Sequence, residues 1–314
     1  MEITQSTNTI LMVRPANFGF NPETAENNTF QSSETDLSPN QIAAKAMNEF
    51  DNMVEKLRSE GVEVIVVEDT SEPVKTDAVF PNNWFSTHRD GTLFIYPMYS
   101  PNRRMERRSD VTLSLSQQYG YEVDDFLLAN EEEGAFLEGT GSMILDRPNR
   151  IVYACYSERT DAQLLHQYCK RIDYDLVGFT STDVNGIPIY HTNVMMTLGT
   201  HIAIICLDSI ENEVERSIVI SKLEETGKQI ITLSQAQISS FAGNMLEVVN
   251  NHDELLLVMS TSAFNALTEE QLNIIKNHNK IVHLPISTIE KFGGGSARCM
   301  IAEIFKSDLI RNNH

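Results

Sequence analysis

Long apolar runs, paired cysteines and positive charge are what this 314-residue chain has little of. No segment approaches the roughly 18 consecutive apolar residues that a membrane-spanning helix requires, so no membrane partner is expected. The opening Met1-Glu2-Ile3-Thr4-Gln5-Ser6 is polar, with no basic region ahead of an apolar stretch, which argues against a secretory signal peptide. Cys155, Cys169, Cys206 and Cys299 are scattered, without a CxxC pair or a metal-like cluster. Neither a disulfide framework nor a zinc site is implied, and a reducing cytoplasm is the expected compartment. Lysine and arginine number 24 against 44 acidic residues, a formal charge of −20 that repels phosphate backbones. The one basic cluster, Arg103, Arg104, Arg107 and Arg108, is too local for a nucleic-acid footprint.

What the chain does have is a core and a regular alternation of elements. Hydrophobic residues make up 41% and charged residues 22%, the balance of a globular protein, and the length admits one large α/β domain or two smaller ones. Ser38-Pro39-Asn40-Gln41 carries a capping box with proline at the first helical position, and Gly61 ends the helix it opens. Further helices are expected from near Arg103, Thr160, Ser209 and Thr268, the last with the capping box Thr268-Glu269-Glu270-Gln271. Residues 62–67, 93–96, 142–145, 151–155, 194–197, 202–206, 254–259 and 280–284 read as strands. Helix starts fifty to sixty or so residues apart, each between strands, suggest five β-β-α-β repeats in a closed array; an ordinary open α/β sheet is the alternative. No clear linker interrupts the pattern.

The most informative stretch is Gly293-Gly294-Gly295-Ser296-Ala297-Arg298-Cys299. Consecutive glycines let backbone approach a ligand or adopt positive φ, and a cysteine beside them is a candidate nucleophile. A surface turn before a buried structural cysteine is the alternative. Asp77 to Trp84 groups polar side chains with the only tryptophan beside a proline-broken strand; Glu138-Gly139-Thr140-Gly141 and His191-Thr192-Asn193 stand at strand entrances.

In this order, with Asn102-Arg103-Arg104-x-Glu106 and Ser157-Glu158-Arg159-Thr160, these motifs resemble those of the guanidino-group modifying enzymes: arginine deiminase, dimethylarginine dimethylaminohydrolase and the arginine amidinotransferases. The resemblance runs from Arg14-Pro15 to Cys299. It implies a five-bladed α/β propeller (pentein fold) of ββαβ repeats, one catalytic domain over residues 1–314, with no metal or organic cofactor. It further implies Cys299 as nucleophile, His191 as acid and base held by Glu138, and a thiolate–imidazolium pair between Cys299 and His191. Arg159 and Arg104 would grip a substrate α-carboxylate, with Arg103 an equal candidate for the second place, and Asp77 would take the α-ammonium. The partner would be a small amino acid, citrulline or an arginine derivative; association of copies of the chain stays open.

Two departures matter. Arginine deiminases carry carboxylates where this chain has Asn83 and Asn193. Amides leave a guanidinium without a paired charge but suit a neutral ureido group, a pattern similar to that of the citrulline utilisation hydrolases. A hydrolase of arginine or methylarginine, an amidinotransferase, and a silent scaffold are the competing readings. Residues 17–31, between the first strand and the first helix, would serve as a lid or as a mobile surface loop.

Overall fold

In the computed structural model residues 4–25 and 27–306 are described; Met1, Glu2 and Ile3 of the opening segment, and Glu26 of the expected lid, lie outside them. Among the described residues no helix is long and apolar enough to cross a membrane.

The chain runs through β1 (Thr9–Arg14) and β2 (Glu63–Glu68), then β3 (Phe85–Thr87), β4 (Thr92–Ile95) and β5 (Glu122–Asp124). It continues through β6 (Ile144–Asp146), β7 (Ile151–Cys155), β8 (Asp175–Phe179), β9 (Met196–Leu198), β10 (Ile202–Ile205) and β11 (Gln229–Thr232). Last come β12 (Leu246–Val249), β13 (Leu255–Ser260), β14 (Lys280–Leu284) and β15 (Ala302–Glu303). These form five three-stranded sheets, ordered β15-β1-β2, β3-β4-β5, β6-β7-β8, β9-β10-β11 and β12-β13-β14. In every sheet the middle strand pairs antiparallel with the strand before it and parallel with the strand after it. A parallel pair needs a crossover, and each has a helix: Pro39–Ser59, Ser109–Tyr119, Ala162–Ile172, Glu213–Glu225 and Glu269–Lys276. The first sheet takes β15 from the far end of the chain, so both ends of the described chain share one sheet.

Local chemistry explains the helices. Ser38 with Gln41 and Thr268 with Gln271 make the expected capping boxes, and the side chains of Asp161 and Asn212 cap two more helices. In Pro39–Ser59 the buried Ile42, Ala46, Phe50, Met53, Val54 and Leu57 recur every three or four residues, so one face packs on the sheets. Phe50 is fully buried, and Phe50→Ala would cost about 3–5 kcal/mol. The middle strands β7 and β10 are buried on both faces, which is why they read as unbroken apolar runs.

Two helices begin later than expected. The stretch around Arg103 is a 3-10 turn, Pro101–Glu106, before the helix at Ser109; Leu207–Ser209 is another before Glu213. Residues 142–145 and 194–197 are not strands from their first residue, because the single-turn helices Gly139–Ser142 and Thr192–Met195 precede β6 and β9. Their backbone N–H groups close i→i+4 bonds, Met143 to Gly139 and Met196 to Thr192, before the chain extends.

These turns belong to a series. Pro81–Asn83, Gly139–Ser142, Thr192–Met195 and the turns around Asn244 and Cys299 each lead into the first strand of a sheet, β3, β6, β9, β12 or β15. Asn83, Gly141, Asn193, Asn244 and Cys299 therefore stand at matching places, two or three residues ahead of their strands.

Candidate active site

Four of these five places carry polar or nucleophilic side chains, and three of those meet at the sulfur. Cys299 Sγ lies 3.2 Å from Asn244 Nδ2 and 3.4 Å from Asn193 Nδ2. Both amides donate, which suits a sulfur carrying negative charge. Asn244 is fixed in turn: its Nδ2 also donates to the Asn193 carbonyl (2.9 Å), and its Oδ1 accepts from Arg298 N (3.0 Å). Asn244 was not anticipated, because it sits in no longer motif; its spacing ahead of β12, shared with Asn83 and Asn193, was the available signal. The fifth place must be glycine: a Cβ on Gly141 would stand 2.3 Å from Asn83 Nδ2 and 2.8 Å from His191 Nδ1.

His191 and Glu138 precede their single-turn helices as N-cap residues and face each other at 2.8 Å, His191 Nε2 to Glu138 Oε2. Glu138 is fully buried, and its Oε1 accepts from Tyr99 N at 2.9 Å. Burial alone would raise its pKa, but Arg159 at 3.6 Å, the His191 hydrogen bond and Arg103 at 4.0 Å outweigh it and hold the carboxyl at about 2. Glu138 is thus anionic, the proton of neutral His191 sits on Nε2, and Nδ1 is left unprotonated. Burial lowers His191 to about 4 despite Glu138, with Arg159 and Arg103 also opposing the imidazolium. Burial thus works against a charged imidazole here, and the hydrogen bonds to the sulfur come from asparagine amides.

Asp77, Asn83, Arg103, Arg159, His191 and Cys299 line one narrow cavity together with Tyr190 and Gly293 to Gly295. Arg159, 2% exposed, lies over the ring of Tyr190 at 4.8 Å. Of the two arginine candidates, Arg103 lines the cavity. Its Nη1 donates to Asn83 Oδ1 (2.9 Å), and Glu106 grips its other edge with two 2.9 Å bonds. Arg104 instead donates to the carbonyls of Met98 (3.0 Å) and Tyr99 (3.3 Å), outside the cavity wall. In a 3-10 turn adjacent residues point about 120° apart, so only one of the two faces inward. Asp77 is buried, 3.7 Å from Arg103, with one oxygen accepting from Asn21 Nδ2 (2.7 Å) and the other unpartnered. Burial raises its pKa against the pull of Arg103.

The triple glycine makes room for protein more than for ligand. Only Gly294 has positive φ (+64°), as the left-handed cap of the helix Ser287–Gly293; a Cβ on Gly293 or Gly295 would strike the ring of Phe80. Of the described residues in the expected lid segment, Thr24 and Asn28 line the cavity, and Asn28 and Gln31 donate to Gly293 O. The remaining cysteines are core residues. Burial pushes Cys155 up to about 11 and Cys169 up to about 12, which leaves them protonated and unreactive.

A cysteine, a histidine and a carboxylate around one cavity, on five small ββαβ sheets, define a pentein-type guanidino-modifying enzyme. The family model for eukaryotic N,N-dimethylarginine dimethylhydrolase matches residues 14–306, and the chain belongs to that family, whose members act on C–N bonds. The fold is similar to the N-terminal domain of ArgZ, an arginine dihydrolase of the cyanobacterial ornithine–ammonia cycle, solved with substrate. The TM-score is 0.70 at 16% identity, covering 95% of this chain and 98% of that one. It is similar to AgrE in complex with ornithine and NAD+, with TM-score 0.71, 17% identity and coverage of 95% of this chain but 39% of AgrE. A dimethylarginine dimethylaminohydrolase from Pseudomonas aeruginosa, complexed with citrulline, aligns at TM-score 0.63 and 14% identity over 95% and 100% of the chains. At these identities the likeness is one of fold. No curated protein matches the chain.

Proposed function

We propose that the chain hydrolyses the ureido group of L-citrulline to ornithine, ammonia and carbon dioxide, as one cytoplasmic catalytic domain over residues 1–314 whose five sheets close into a propeller. The observation that carries the reading is the hydrogen-bond polarity of the two asparagines. Arg103 only donates, so it fixes Asn83 Oδ1 toward itself, and Asn83 Nδ2 is left buried without a partner. Asn193 spends Nδ2 on Cys299 and leaves Oδ1 buried and unpartnered. One free donor and one free acceptor complement the carbonyl and NH2 of a ureido group. A guanidinium, which only donates, would strand the Asn83 donor and set a second cation near Arg103.

In this account Sγ of Cys299 attacks the ureido carbon, the thiol proton passes to Nδ1 of His191 and from there to the side-chain nitrogen of the substrate, which leaves as the amine of ornithine. The resulting S-acyl adduct is opened by a water that gives a proton to Nδ1 of His191, and carbamate falls to ammonia and carbon dioxide. Glu138 holds the imidazole through Nε2. Arg159 with Arg103 would take the α-carboxylate, and Asp77 the α-ammonium through its free oxygen. No metal or organic cofactor enters.

Hydrolysis of arginine or dimethylarginine is the second reading, supported by the family description. The test is kcat/KM for L-citrulline and L-arginine in Asn83→Asp with Asn193→Asp. Loss of about 1–3 kcal/mol of transition-state binding for citrulline, tenfold to a hundredfold, with a gain on arginine is expected. Undiminished citrulline turnover with no arginine turnover would remove the polarity argument.

A further inference from the structure

We propose that Asn27 is an internal stand-in for the substrate's α-carboxylate, and so sets the requirement for a free amino acid. The proposal deepens the reading of an α-amino-acid substrate gripped by Arg159 and rests on it. Asn27 Oδ1 accepts two hydrogen bonds from one edge of the Arg159 guanidinium, from Nε at 3.0 Å and from Nη2. One amide oxygen thus occupies the edge on which a carboxylate would set two oxygens. Thr24 O takes a further bond from Nη2 at 3.2 Å. Arg159 is almost wholly buried, so without this amide its Nε would be left unsatisfied.

A carboxylate and Asn27 cannot share this edge of Arg159, because Asn27 takes both its Nε and its Nη2. A substrate carboxylate bound at this edge therefore displaces the Asn27 side chain, and the contact that breaks at Arg159 is the one with Asn27. The exchange favours a carboxylate because a charged acceptor bonds the guanidinium about twice as strongly as a neutral one. A ligand lacking the carboxylate cannot repay the lost bonds and is excluded. Asn27 itself has somewhere to go: its Nδ2 already bonds the exposed Glu158 at 3.0 Å, on the outer side. Asp77 works differently. Asn21 holds one of its oxygens and leaves the other unpartnered, so no exchange is needed there.

The experiment is calorimetric titration of L-ornithine and of 1,4-diaminobutane, the same molecule without its carboxylate, into wild type, Asn27→Ala and Asn27→Asp. Removing the competitor in Asn27→Ala should tighten ornithine by about tenfold and leave 1,4-diaminobutane unmoved. Asn27→Asp, which plants a permanent carboxylate on Arg159, should weaken ornithine by at least about tenfold. Equal or weaker ornithine binding in Asn27→Ala, or the same shift for both ligands, overturns the proposal. So does ornithine that binds neither wild type nor Asn27→Ala. Because neither probe carries a ureido group, failure here is separate from failure of citrulline hydrolysis, which turnover alone decides.

Discussion

Glu138→Gln is the sharpest probe of the catalytic geometry, because the shape is kept and only charge and one acceptor are lost. Glu138 Oε2 faces His191 Nε2 at 2.8 Å, Oε1 accepts from Tyr99 N at 2.9 Å, and Arg159 and Arg103 stand 3.6 and 4.0 Å away. An amide cannot serve both contacts as an acceptor. If its oxygen faces Tyr99, its NH2 faces Nε2, which must then be the unprotonated nitrogen; the proton moves to Nδ1 and the base is lost. If the amide flips, two donors collide at Tyr99. Loss of an orienting acid that sets the tautomer costs about 10⁴-fold in kcat in the worked serine-protease case. Here a drop of about 10³–10⁴-fold is expected. Stability falls too. Breaking a buried charge pair costs about 3–5 kcal/mol, but Arg103 keeps Glu106 and Arg159 keeps Asn27, so about 2–3 kcal/mol is expected, a Tm lower by roughly 5 °C. Steady-state ornithine release and a calorimetric melt measure both. A folded variant that loses less than tenfold in kcat would refute the tautomer argument.

Three other outcomes follow from the same geometry. Gly141→Ala places a Cβ 2.3 Å from Asn83 Nδ2 and 2.8 Å from His191 Nδ1; it should cut kcat by at least about a hundredfold while costing about 1–3 kcal/mol in a denaturant titration. Asn244→Ala removes the 3.2 Å donor from Cys299 Sγ, so iodoacetamide alkylation of Cys299 at pH 7 should slow by about tenfold, read by mass spectrometry. Stability should fall with acid. His191 has a folded pKa of about 4 against 6.5, so the unfolded chain takes up its proton first and stability is lost as pH drops from 6.5 toward 4, by about 3 kcal/mol; Glu138, at about 2 against 4.5, adds a loss from pH 4.5 downward. Melts between pH 7 and 4 check this, and a Tm that stays flat in His191→Gln but not in wild type assigns the first part to the histidine.

Much of the fold was legible because its signals are local. Capping boxes at Ser38 and Thr268 are side-chain-to-backbone bonds within four residues, and the apolar runs of β7 and β10 report strands covered on both faces. The helix starts at Ser109 and Glu213 were displaced because the 3-10 turns ahead of them have the same composition as a first helical turn. The one-turn helices at Gly139–Ser142 and Thr192–Met195 are too short to have any periodicity. In the site, Cys299, His191, Glu138, Asp77, Asn83, Asn193 and Arg159 do gather, since their motifs mark turns that feed neighbouring sheets. The choice between Arg103 and Arg104 is made by which side chain meets Glu106 and Asn83, a tertiary fact. The same holds for the charge of His191, which burial decides.

The most direct test of the central claim is product analysis with purified protein given L-citrulline or L-arginine in parallel, with Cys299→Ala as the blank. Ornithine and ammonia from citrulline alone, abolished in Cys299→Ala, is the predicted result. Citrulline appearing from arginine would contradict it and make the chain a deiminase whose two asparagines tolerate a guanidinium.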